Sequence, residues 1–126
     1  MRVTENFTFE EARCKCNKCK LTPDLILHIT SQAFNLEVIR ERLNDEPMQI
    51  NSWYRCKRYN RKIGGVRKSQ HIEGLATDIK TNDPIGLAKV IEDLINERLI
   101  EEGGIGIYSG FVHYDSRGIK RRWSKI

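Results

Sequence analysis

The chain predicts a small α+β domain with a central antiparallel sheet and flanking helices, and three observations predict it. Two stretches carry apolar residues at helical spacing, one over about 23–43 and one opening at Asp83-Pro84. Short runs with strand character lie between and after them, at 48–54, 75–80, 105–108 and 111–115. Helices and antiparallel strands are therefore segregated along a short chain, the pattern of the α+β class.

The first helix opens where Pro23 follows Thr22 and precedes Asp24, with proline in the first turn. Leu25, Ile29, Ala33, Phe34, Leu36, Ile39 and Leu43 recur along it as an amphipathic face, and Asn44-Asp45-Glu46-Pro47 stops it. Met48 to Tyr54 partly alternates and reads as a strand. Residues 55–68 hold seven cations (Arg55, Lys57, Arg58, Arg61, Lys62, Arg67, Lys68) and no acid, broken by Gly64-Gly65. Leu75 to Lys80 is the second strand. The second helix turns Leu87, Val90, Ile91 and Leu94 inwards and ends at Gly103-Gly104. Ile105–Tyr108 and Phe111–Asp115 form a closing hairpin, with a short last strand around Arg122-Trp123.

With 126 residues there is room for one domain, spanning 1–126, that buries roughly two-thirds of its unfolded surface. The composition, 39% hydrophobic and 31% charged with all three aromatic types, excludes a disordered chain. No apolar stretch approaches the ~20 residues of a membrane span, so no membrane insertion is expected. Lys and Arg exceed Asp and Glu by 22 to 17, and this excess of +5 points to acidic partners. The opening residues Met1 to Asn6 lead into no apolar signal segment. The expectation is a monomer made in a cytoplasm, or a mature form whose leader is missing. The four cysteines are Cys14, Cys16, Cys19 and Cys56. They are candidates for a structural metal site or a disulfide that ties the N-terminal arm to the segment around Cys56, the alternative being free or partly paired thiols.

The residues that carry chemistry are His71, Asp78 and His113. A histidine in a loop, an aspartate in the following strand and a histidine in the hairpin can meet if their strands are neighbours. Hydrolytic zinc takes three such protein ligands and keeps a position for water, whose pKa it lowers towards ~7. His28 lies mid-helix without matching partners, and Tyr108, Phe111 and Trp123 read as core or cleft wall. The basic tail after Ser116 reads as a solvated face.

The flanks sharpen this reading. Ser69, His71, Gly74, Ala76 and Asp78 form one spaced motif, preceded by Ser52, Tyr54 and Arg55 and followed by Gly104-Ile105-Gly106, Tyr108 and Phe111-Val112-His113-x-Asp115. Together these closely resemble the zinc D-Ala-D-Ala carboxypeptidase family of metallopeptidases, from Asn6-Phe7 through Arg122-Trp123. The resemblance implies that His71, Asp78 and His113 hold Zn2+, that Arg55 binds the substrate carboxylate, and that Ser69 hydrogen-bonds the peptide near the metal. It also implies the small zinc-peptidase fold shared with hedgehog-type domains, with helices on one side of the sheet. Arg55 suits its role physically, because a guanidinium fork matches a carboxylate bidentately. Several branches of that family carry Glu or Asp three residues before the last zinc histidine, where this chain has Gly110. Others carry His two residues before it, where this chain has Phe111. The nearest carboxylate is Asp115, on the same strand face as His113. It is the candidate either to take the proton from the metal-bound water or to orient a ligand from behind. Glu73 is the second candidate base.

The implied activity is zinc-dependent hydrolysis of peptidoglycan stem peptides, as a D,D-carboxypeptidase or an endopeptidase such as a phage endolysin that reaches the wall through a membrane lesion. The alternative is a zinc-containing domain of the same fold that binds cell wall without turnover. Specific nucleic-acid binding is not expected, since the basic runs lack a recognition motif and interleaved aromatics.

Overall fold

Every helix of the protein starts at a side chain that accepts a hydrogen bond from its own first turn. In the computed structural model, which describes residues 1–126, Thr8 caps α1 (Phe9–Ala12) in a reciprocal box with Glu11. Thr22 caps α2 (Pro23–Arg42), Cys56 caps α3 (Lys57–Lys62) and Asp83 caps α4 (Pro84–Asn96). A hydroxyl or carboxylate cap contributes about 1 kcal/mol each, so these are boundary-setting residues more than sources of stability. The basic run thus contains a short helix where the sequence showed only charge and a glycine break, and α1 was also unmarked. Neither carries enough apolar periodicity to announce itself.

The helix ends follow from left-handed residues. Asn44, at φ +60°, ends α2 as expected, with Asp45 N–H bonded to Arg40 O and Asn44 N–H to Glu41 O. The same double bond closes α4 at Arg98 (φ +62°), where Leu99 N–H reaches Leu94 O and Arg98 N–H reaches Ile95 O. The second helix therefore stops at Asn96, not at Gly103-Gly104. A non-glycine residue in this conformation left no signal in the sequence.

Five strands, β1 (Ile50–Ser52), β2 (Ala76–Lys80), β3 (Gly104–Tyr108), β4 (Phe111–Asp115) and β5 (Arg121–Ser124), form one sheet in the order β1-β2-β4-β3-β5. The first four pair antiparallel, as expected. β5 pairs parallel with β3, so the sheet is mixed rather than wholly antiparallel. The chain leaves β4, passes β3 and lies down on its far side, and a strand placed there antiparallel to β4 must run parallel to β3. Arg122 pins it with two bonds to Glu92 of α4 at 2.7 and 2.8 Å and one to Glu102 at 2.9 Å.

Helices α2 and α4 cover one face of the sheet. Ile29, Ala33, Leu36 and Ile39 of α2 and Leu87, Ile91 and Leu94 of α4 share a core with Ile79, Ile105, Val112 and Tyr114. Gln32 lies on the same stripe, fully buried, and its amide donates to Thr77 Oγ1 at 3.0 Å and Tyr114 O at 3.1 Å. A polar side chain thus docks α2 onto β2 and β4. Phe34, expected on the inner face, is instead 61% exposed. One residue is a turn of about 100° in a helix, and Ala33 takes the inward direction. The other face of the sheet is left for chemistry.

Candidate metal centre and its cleft

Strand register brings the first two site residues together. Asp78 of β2 pairs directly with His113 of β4, which in turn pairs with Gly106 of β3, so both side chains stand on the face away from α2 and α4. His71 arrives from the loop before β2, where Arg55 N–H bonds its carbonyl at 3.0 Å. His71 Nε2 and His113 Nδ1 lie 3.2 and 3.3 Å from the same Asp78 Oδ1. The ligand atoms of these three residues are all within 4.8 Å of one another, and all three residues are buried.

The remaining ring nitrogens are committed elsewhere. His71 Nδ1 is 2.7 Å from Trp53 O, an acceptor only, so Nδ1 carries the proton and Nε2 keeps its lone pair. His113 Nε2 lies 2.6 Å from Asp115 Oδ2, which leaves Nδ1 with the lone pair. Two imidazole lone pairs and a carboxylate converge on one point, each held from behind as metal ligands are. Tetrahedral zinc with bonds of about 2.0–2.1 Å separates its ligand atoms by about 3.3 Å, the spacing seen from Asp78 to both rings. The donor set fits zinc.

Burial works against ionising Asp78, but the N–H groups that His113 and His71 can turn to it when no metal takes their lone pairs outweigh burial and hold the carboxyl well below the usual carboxylate range. Burial likewise works against a charged His113, and its bonds to Asp115 and Asp78 raise its pKa despite this.

Asp115 takes a different place from the one expected of a general base. It is fully buried behind His113. Its Oδ1 accepts from Gly104 N (3.0 Å), Arg117 N (3.2 Å) and Arg117 Nε (2.8 Å), and its Oδ2 accepts from His113 Nε2 and from Arg117 Nη2 at 2.7 Å. With five donors on two oxygens, it has no direction left from which to take a proton from water in the cleft. Burial opposes its ionisation, yet Arg117 and His113 keep its carboxyl well below the usual range. Glu73 is exposed and does not line the cleft over the three ligands.

A cleft of about 800 Å³ opens over the centre. Arg55 reaches into it, half-buried, with Nε on Ser52 Oγ (3.0 Å), Nη1 on Asn60 Oδ1 (3.2 Å) and Nη2 on Asp78 Oδ2 (3.3 Å). These bonds use three of its five N–H donors and leave one on each terminal nitrogen. Ser69 Oγ accepts from His71 N at 3.1 Å, so its hydroxyl hydrogen is free to point into the cleft it lines. Lys68, Arg117, Arg121 and Lys125 add positive charge, and Asp78 is the one carboxylate in the lining. Trp123 walls the cleft beside His113, with ring centroids 5.0 Å apart, and donates its indole N–H to Tyr108 Oη at 2.9 Å.

Two contributors were not anticipated from the residues, the Trp53 carbonyl and Arg117, and the glycines of β3, present in the motif, had no stated role. A Cβ on Gly106 would sit 2.3 Å from the Trp123 indole, and one on Gly104 would sit 2.4 Å from Asp115 Oδ2. Alternate glycines on one strand face were the available signal, since they mark where something must come close. The four cysteines gather away from the cleft, with Cys14, Cys16 and Cys19 facing Cys56 across the start of α3.

Against known proteins, the model of the family described as Peptidase M15 matches residues 5–115, from ahead of α1 to the last residue of β4. No curated protein matches the chain.

Proposed function

The chain belongs to the peptidase M15 family of zinc-dependent peptidases, and from that premise we propose that it hydrolyses peptide bonds in the stem peptides of peptidoglycan, as a D,D-carboxypeptidase or an endopeptidase of the endolysin kind. The observation that carries the reading is the convergence of His71 Nε2, Asp78 Oδ1 and His113 Nδ1, each histidine fixed by an acceptor on its far nitrogen.

Zinc held by His71, Asp78 and His113 would supply a Lewis acid for the scissile carbonyl and would acidify water towards a pKa of about 7. The chain's own groups do the rest. Trp53 O and Asp115 select the tautomers that leave Nε2 of His71 and Nδ1 of His113 as lone-pair donors. Arg117 fixes Asp115 through two side-chain bonds, so the orientation of His113 rests on a partly buried ion pair. Arg55 offers its two unpaired N–H groups to a stem carboxylate, next to the metal ligands. Ser69 offers its hydroxyl to a peptide carbonyl from the same wall. The cations around the cleft attract an acidic stem before it docks.

The second reading, a zinc-containing domain that binds cell wall without turnover, is favoured by one observation: no Glu or Asp other than Asp78 lines the cleft. The two readings separate on purified peptidoglycan with zinc-loaded protein. The enzyme reading expects released D-Ala or stem fragments, their identity reporting carboxypeptidase or endopeptidase action, and expects His113→Ala to abolish the release. Binding to wall with no product, under zinc or any other divalent metal, overturns it.

A further inference from the structure

Away from the cleft, one other set of metal-binding side chains converges. Cys14, Cys16 and Cys19 follow α1, and Cys56 caps α3, with all four Sγ atoms within 4.8 Å of one another. Cys16 and Cys19 are 3.3 Å apart, Cys14 and Cys56 3.7 Å, and Cys16 and Cys56 4.0 Å. None is bonded to another. Four thiolates around zinc at about 2.3 Å form a tetrahedron with edges of about 3.8 Å, so these sulfurs stand close to its corners. We propose that Cys14, Cys16, Cys19 and Cys56 bind a second zinc ion, structural in role and separate from the centre in the cleft.

Backbone amides are placed to hold negative charge on three of the four sulfurs. Backbone N–H groups of Cys56, Lys18 and Tyr59 point at the sulfurs of Cys14, Cys16 and Cys56 respectively, each at 3.4 Å. Asn17 turns the chain between Cys16 and Cys19 through φ +58°, a conformation asparagine tolerates, and this curls both sulfurs to one side. Zinc with four thiolates carries a formal charge of −2. Lys15, Lys18, Lys20, Lys57 and Arg58 are exposed around it, and no acid lies in 13–20 or 55–68. This accounts for basic residues that have no place in the cleft. Cys14 belongs to the core while the other three are half-buried, as suits a closed site with no position for water.

The consequence is positional. Tyr54 N–H bonds Ala12 O at 3.1 Å, next to Cys14, so the N-terminal arm already lies along the segment that ends at Cys56. That segment carries the Trp53 carbonyl that holds His71, and Arg55. A metal clamp on Cys56 fixes both from outside the cleft.

The test uses the full chain, purified under reductant and loaded with zinc or cobalt(II). Wild-type protein is expected to hold two metal ions, and its cobalt form is expected to absorb in the near ultraviolet through thiolate-to-cobalt charge transfer. The cleft contains no sulfur ligand, so this band reports the cysteines whatever the cleft does. His71→Ala is expected to keep one ion and the full band, and Cys16→Ser to lose one ion and the band. A cobalt-loaded wild type without the band overturns the proposal, as does a His71→Ala protein without metal. Alkylation and mass spectrometry showing the four cysteines paired as disulfides would overturn it as well. The outcome is independent of hydrolysis, since an inactive protein that passes still has the site.

Discussion

Replacing Asp115 by Asn tests how the centre is held together. The side chains are nearly isosteric, but the amide presents one acceptor and one donor where the carboxylate presents two acceptors. Three N–H groups point at Oδ1 and two at Oδ2, so the amide oxygen settles at Oδ1 and the NH2 faces His113 Nε2 and Arg117 Nη2. His113 then accepts at Nε2 and moves its proton to Nδ1, the atom 3.3 Å from Asp78 Oδ1. A protonated Nδ1 cannot ligate a metal. Loss of such a supporting partner costs about 10–100-fold in metal affinity, equivalent to about 1.4–2.7 kcal/mol. Competition with a chromophoric chelator measures that affinity, and hydrolysis of peptidoglycan is followed in parallel. The expected result is zinc affinity weakened by about that factor, with activity largely recovered at saturating zinc and a pH–rate profile of unchanged shape. Unchanged zinc affinity together with more than about 1,000-fold lost activity, and disappearance of the acidic limb of the profile, would refute the reasoning and return Asp115 to the role of general base.

Other expectations follow from single contacts. Gly106→Ala puts a methyl 2.3 Å from the Trp123 indole. It should cost about 1–3 kcal/mol by overpacking, seen as a lowered denaturation midpoint with a shift in tryptophan emission as the ring leaves His113. Gln32→Leu removes the buried amide between α2 and the sheet and should destabilise by about 1–3 kcal/mol without altering zinc content. Arg122→Ala releases β5 from Glu92 and Glu102 and should cost about 1 kcal/mol, since these groups are partly exposed. The Arg122 hydrogen bond lowers the pKa of Glu92. That stabilisation is therefore present above the unfolded value of about 4.3 and is lost as pH falls towards the folded one. Acid unfolding of Arg122→Ala should accordingly lack this component, so that its stability deficit at neutral pH narrows as the pH drops below about 4.

Local patterning determined a good deal of this protein. Proline at the start of α2 and α4, apolar residues at helical spacing and the partial alternation over 48–54 are nearest-neighbour effects, legible wherever a residue's fate depends on residues within a turn or two. The motif around His71, Asp78 and His113 was legible too, as was the family it resembles. What depends on residues far apart in the chain was not. The parallel placement of β5 follows from which sheet edge was left open, and the inward turn of Ala33 over Phe34 from how α2 meets the core. Asp115 is the sharpest instance. Its strand position puts it on the face of His113, but only the folded chain brings Arg117 and the Gly104 amide around its carboxylate. A buried acceptor takes the role its donors leave open to it, and those donors are assembled by tertiary structure.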